Sequence, residues 1–282
     1  MSSPAFPPQV PAPGAAAWST ASAPGRFVSP VPVQRVHLGH ALAAEWTKIR
    51  SVRSTVWTLL LMIGFILGIG GVAVLYSRGS TRAGDDILSL GFGGFLIGQI
   101  SVIALGVLTI SSEYGTGLIR TTLTACPQRL RMLIAKALIF FALVLTLGTG
   151  TIALFTLLAV AVLGGSAGTP PTATLVRTVL GGGLYLAVIG LMSLAMGALL
   201  RHSAGAIATM IGFVLLPIIL GLFAGDRIGR FLIEYSPVSI SAAIFGEALD
   251  PSTDGWQLLG VLTLITAVLL IAAGVAVARR DV

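Results

Sequence analysis

The chain has 282 residues, of which 55% are hydrophobic and 10% charged, with a formal net charge of +7. Soluble domains carry roughly 25% charged residues, so this composition excludes a soluble globular protein and predicts an integral membrane one. Its single cysteine, Cys126, excludes a disulfide framework or a Cys-rich metal site and has no adjacent general base to make it a catalytic thiol.

Residues 1–37 are rich in Pro, Ala and Ser through Gln34 and have too little apolar content to bury a core, which predicts a disordered tail. No apolar core precedes Arg26, the first basic residue, so a cleaved signal peptide is not expected. From Leu38 the apolar positions Leu38, Leu42, Trp46, Ile49 and Val52 recur at spacings of three and four, with Glu45, Lys48 and Arg50 on other faces. This predicts an amphipathic helix over 38–53 lying in the membrane interface, with Trp46 at headgroup depth.

Six apolar runs follow, each near the roughly 20 residues that a helix needs to cross a ~30 Å hydrocarbon core. They span approximately Val56 to Tyr76, Ile87 to Ile110, Leu133 to Leu163, Thr178 to Leu200, Ala204 to Ala224 and Trp256 to Ala278. The third exceeds what a bilayer requires, so part of it projects or tilts. None shows the alternation of a barrel strand, and backbone in lipid must pair within its own segment, so the expected fold is an all-α bundle of six transmembrane helices. The pairs Gly64/Gly68 and Gly94/Gly98 offer small faces for close packing, within one subunit or between two.

Basic residues are held back on the cytoplasmic side. With both termini inside, 12 of the 17 Lys and Arg residues fall on that side, leaving Arg78, Arg82, Arg177, Arg227 and Arg230 outside, where seven of the ten acidic residues also lie. The expected location is therefore a cytoplasmic membrane, with cytoplasmic termini. The net charge reflects topology and attraction to anionic lipid; no reading helix or basic, aromatic-interleaved patch suggests nucleic acid.

Absences narrow the function. No span carries Asp, Glu, Lys, Arg or His near its middle, which weakens an ion-coupled carrier. His37, His40 and His202 sit at span ends, no HExxH is present, and two histidines without a further ligand make a weak metal site. The lysines, Lys48 and Lys136, both lie outside any Gly-Lys-Ser/Thr loop, so this chain does not hold ATP by a Walker motif, and any ATPase must be another polypeptide.

The segment from Ser111 to Lys136 is charged and punctuated by Gly and Pro between two apolar runs. Gly115 and Gly117 break the second span, Leu118 to Ala125 is long enough for two helical turns, and Pro127 starts a new helix. Ile119 and Leu123 share a face of the short helix, while Arg129, Met132 and Lys136 line one side of the next. Such a knob suits a groove on a soluble partner; a basic loop that only fixes topology has the same shape.

The pattern Glu113-Tyr114-x-x-Gly117-x-x-Arg120-Thr121-Thr122-Leu123-x-x-x-Pro127-x-Arg129, with Lys136 two turns beyond, resembles the loop after the second span in ABC type-2 exporter permeases, particularly the six-span subunits of actinobacteria. The likeness is specific there and looser over residues 38–282. It implies a bacterial plasma-membrane permease subunit without enzymatic activity or a cofactor of its own, paired with a second permease copy or sister permease and with separate ABC ATP-binding subunits that hold ATP and Mg. Residues 117–125 would form a coupling helix, with Glu113, Tyr114, Gly117, Arg120, Thr121, Leu123, Pro127 and Arg129 at the ATPase contact. The helix with Trp46, Lys48 and Arg50 would match the family's connecting helix. The last external loop, 225–255, with Ile233 to Pro237 followed by Ile240 to Ile244, is similar to a partly re-entrant segment. Family members often have Gly-Thr where this chain has Gly117-Leu118, which shifts the expected helix cap to Thr116. The expected function is ATP-driven export of an apolar or amphipathic substrate by alternating access. A non-transporting membrane anchor for an ATPase is the alternative, with a secondary carrier behind it.

Overall fold

The computed structural model describes residues 38–115, 129–247 and 254–279, apart from the side chains of 113–115, 129 and 226. Among the described residues there is no strand, and six helices are long and apolar enough to cross a membrane. The chain is an all-helical, multi-pass membrane protein. The expected tail, residues 1–37, lies outside the described residues.

Helix α1 (Leu38–Ser51) is followed by α2 (Arg53–Tyr76), α3 (Phe92–Gly115) and α4 (Arg129–Ala167). Helix α5 (Thr172–Leu200), α6 (Ser203–Gly221), the short α7 (Asp226–Glu234) and α8 (Pro237–Phe245), and α9 (Gly255–Arg279) complete the order. Val52 takes an extended conformation, which separates α1 from α2 by a one-residue bend.

Helix α5 is the hub. It packs against α3, α4, α6 and α9, and from Gly182 to Ala198 most of its residues are buried. Glycine makes this crowding possible, because a small residue lets two backbones approach. A Cβ on Gly106 of α3 would lie 2.5 Å from the Gly190 carbonyl oxygen of α5, and one on Gly183 would collide with Thr149 of α4. Gly94 plays the same part between α3 and α2, where a Cβ would meet the Phe65 carbonyl oxygen at 2.7 Å. Gly94 and Gly98 therefore serve packing within the subunit. Gly64 and Gly68 have open space beside them, on the outer face of α2.

Helix α4, with 39 residues, is about 58 Å long at 1.5 Å per residue, nearly twice the ~30 Å core of a bilayer. Its first turns pack against α1. Helix α5 begins six residues before the expected Thr178 and passes through one π turn, Arg177–Gly181. The sequence places a charge there, and the helix continues through it because Arg177 finds a carbonyl partner, described below. The α5–α6 turn is tight: Arg201 adopts a left-handed conformation, and His202 caps α6, its Nδ1 accepting a hydrogen bond from the Gly205 N–H at 2.9 Å. His202 is exposed at the end of the span and supplies this cap.

Candidate functional site

Polar groups concentrate at two places, one at each end of the bundle. The first is the junction of α1 with the start of α4. Glu45 is 3% exposed and Lys136 is 1% exposed. Lys136 Nζ donates to Glu45 Oε2 at 2.6 Å, and Lys48 Nζ donates to Oε1 at 3.1 Å. Both carboxylate oxygens are satisfied, as burial of a charge demands. Ile49 is buried one turn beyond Glu45, while Leu38, Trp46 and Val52 remain exposed.

Two expectations change here. Along the apolar stripe of α1 only the Ile49 end is buried in the protein, and Glu45, expected on another face, is buried beside it. Lys136, expected to line one side of the helix with Arg129 and Met132, is turned inward, and Met132, one turn earlier, is buried with it. The cause is the ion pair: the carboxylate and ammonium neutralise each other at the contact, which lets both leave water. Lys48 and Arg50 stand in the last turn of α1, where positive charge suits the helix dipole. Arg50 is exposed, and the side chain of Lys48 is 42% exposed.

Glu113 and Tyr114 lie in the last turn of α3 and Arg129 opens α4; their side chains are outside the described set. Gly117, Arg120, Thr121, Leu123 and Pro127 lie outside the described residues altogether, as does the expected short helix. The flanks show where that loop attaches: it joins α3 to the part of α4 that α1 covers.

The second place is at the opposite end of the bundle, around α8. Segment 225–247 folds into two short helices. Helix α7 leaves Ile228 and Phe231 exposed, and Phe231 packs on Tyr235 with ring centroids 4.9 Å apart. Helix α8 is buried along nearly its whole length. Ser236 caps it, accepting from the Ser239 N–H at 3.0 Å, and Pro237 occupies the first turn, where no N–H is needed. At its other end the Ile244 carbonyl accepts hydrogen bonds from Arg177 Nε and Thr178 Oγ1, each at 3.2 Å. The π turn of α5 therefore supplies two donors to the carbonyl end of α8. Gly246 then turns left-handed at φ +88°, tight against the Asp86 carboxylate.

Tyr185 of α5 is fully buried. Its hydroxyl is 2.8 Å from the Gln99 side-chain oxygen and 3.0 Å from the Pro237 carbonyl. Phe95 stacks beside it and against Phe245, with centroids 5.5 and 4.8 Å away. Helices α3, α5 and α8 thus meet in one aromatic and polar cluster. Sequence reasoning overlooked Gln99, although a carboxamide within an apolar run signals a buried partner. Glu45 and Lys136 are 91 positions apart, and no periodicity links them. No His, Cys, Asp or Glu groups able to hold a metal converge among the described residues.

No protein-family model matches the chain, and no curated protein matches its sequence.

Proposed function

We propose that this chain is the membrane-spanning permease subunit of an ABC type-2 exporter, moving an apolar or amphipathic substrate out across a bacterial cytoplasmic membrane. A separate ABC subunit hydrolyses ATP, and a second permease, identical or a sister, completes the pathway. Both termini and the 116–128 loop face the cytoplasm in this reading, and the buried α8 is the partly re-entrant segment on the external side.

The observation that carries the proposal is the Glu45–Lys136 clamp beside a loop of permease-like sequence. A partner pressing on residues 113–129 acts on the start of α4, and α1 is tied to α4 by a 2.6 Å ion pair. Helix α4 in turn packs along α5, the hub of the bundle. Alternating access requires two arrangements that bind the ATP-loaded partner with different affinity, and this layout gives a loop contact a stiff route to the core. The absence of charged side chains at the span centres suits an uncharged or amphipathic cargo.

The test is a mild-detergent pull-down of the tagged chain from its native cell, beside a Glu113→Lys, Arg120→Glu double variant. A Walker-motif ATPase recovered with wild type and lost with the folded variant is the expected result. Recovery that is equal in both, or no ATPase in either, overturns the proposal. Substrate movement in reconstituted vesicles that contain the ATPase separates a permease from a mere anchor.

A further inference from the structure

One groove in the molecule is lined wholly by apolar residues and glycine. It lies between the start of α4 and the end of α9, with Leu191 of α5 at its base, and encloses about 620 Å³. Leu130, Ile134 and Phe141 form one wall, and Leu270 and Gly274 contribute to the other. Ala137 on α4 and Ala278 on α9 keep the groove's lining small at those positions, and at Gly274 of α9 the two helices close on each other, with Leu130 of α4 packed against the glycine.

Its length is that of one membrane leaflet. The twelve residues from Leu130 to Phe141 span roughly 16 Å at 1.5 Å per step, and half of a ~30 Å hydrocarbon core is about 15 Å. In a bilayer such a space is filled, because empty apolar walls forfeit dispersion contacts.

Charge continues both walls at one end only. Arg131 stands one helical turn before Ile134 and two before Leu138, both groove-lining, and Arg279 stands one turn after Val275 and two after Ile271, also groove-lining. Residues three or four apart share a helix face, so both arginines continue the groove-lining faces of their helices at the same end of the groove. Arg279 is exposed, whereas Arg131 is half-buried and also engaged within the protein.

We propose that this groove holds one acyl chain of an anionic phospholipid from the leaflet on the α1 side, with the headgroup phosphate set against Arg279 and Arg131. The site rests on the membrane character of the chain alone and stands whatever the bundle transports. A bound lipid there wedges α4 against α9 and links the loop-bearing helix to the last helix of the chain.

The purified protein in nanodiscs of matched phosphatidylglycerol and phosphatidylcholine is released into mild detergent, and retained lipid is read by native mass spectrometry. Wild type is expected to keep one phosphatidylglycerol in preference to phosphatidylcholine, by about fivefold for each arginine engaged. Arg279→Gln should lower that preference about fivefold, and Ala137→Phe, which fills the groove, should abolish retention of either lipid. Unchanged retention in Ala137→Phe, no headgroup preference in wild type, or loss of a dimer without loss of lipid on filling would each overturn the proposal. Should the filled variant not fold, Arg279→Gln decides, since that side chain is exposed and the bundle does not depend on it.

Discussion

Glu45 illustrates how a single side chain sets the geometry of its neighbourhood. Its carboxylate is shared between two ammonium groups, one of them buried on another helix, and burying one charge without the other is far more costly than burying both. Glu45→Gln is expected to lower stability by up to about 3–5 kcal/mol, with Lys136 keeping its other contact and so placing the loss toward the lower end. Combining it with Lys136→Met should recover part of that loss. Thermal unfolding of the four proteins in detergent measures the coupling, and faster trypsin cleavage after Lys48 or Arg50 in the single variant would report release of α1. Strict additivity of the two changes would mean that the pair contributes nothing to docking. Tyr185 makes the same argument without charge. Tyr185→Phe leaves the Pro237 carbonyl and the Gln99 carboxamide short of a partner, at a cost of about 1–3 kcal/mol. Adding Gln99→Leu should cost less than the sum of the two single changes.

At the scale of the element, helices of similar hydropathy find different environments because their small residues lie on different faces. Gly94 and Gly106 of α3 and Gly197 of α5 lie against other backbones, whereas Gly64 and Gly68 on α2 face outward. Gly106→Ala and Gly94→Ala should each destabilise the bundle by about 1–3 kcal/mol through overpacking, while Gly64→Ala and Gly68→Ala should be neutral or slightly stabilising through lower chain entropy. Melting temperatures of the four variants check the contrast. A large loss at Gly64 or Gly68 would show that the outer face of α2 is covered by another chain. The end of α8 is equally constrained. Gly246→Ala must adopt a positive φ and displace the Asp86 carboxylate, so a loss of at least about 1 kcal/mol is expected, together with weaker protection of α8 amides in hydrogen exchange.

For the whole molecule, the long α4 and the hub α5 connect the two polar places at opposite ends of the bundle. The α1 face holds an ion pair, and the other end holds the buried helix α8. The sidedness of this arrangement is testable with the one native thiol. In intact cells Cys126 should resist a membrane-impermeant maleimide and react with a permeant one, whereas Ser80→Cys in a Cys126→Ser background should react with both. The reverse pattern would invert the topology and place the 116–128 loop where no ATPase can reach it.

Hydropathy alone marked the six spans to within a few residues at most ends, because a run of about 20 apolar side chains has only one way to satisfy its backbone in lipid. The start of α1 at Leu38 was also legible, from spacing, and so was the unusual length of α4. The start of α5 was not, since Arg177 reads as a boundary until the Ile244 carbonyl that it binds is brought beside it. The same holds for Glu45 with Lys136 and for Tyr185 with Gln99 and Pro237. Hydrophobic length is a property of consecutive residues and can be read along the chain. Which polar side chains leave water together, and which glycines meet another backbone, depends on partners distant in sequence, and only tertiary packing brings those partners into contact.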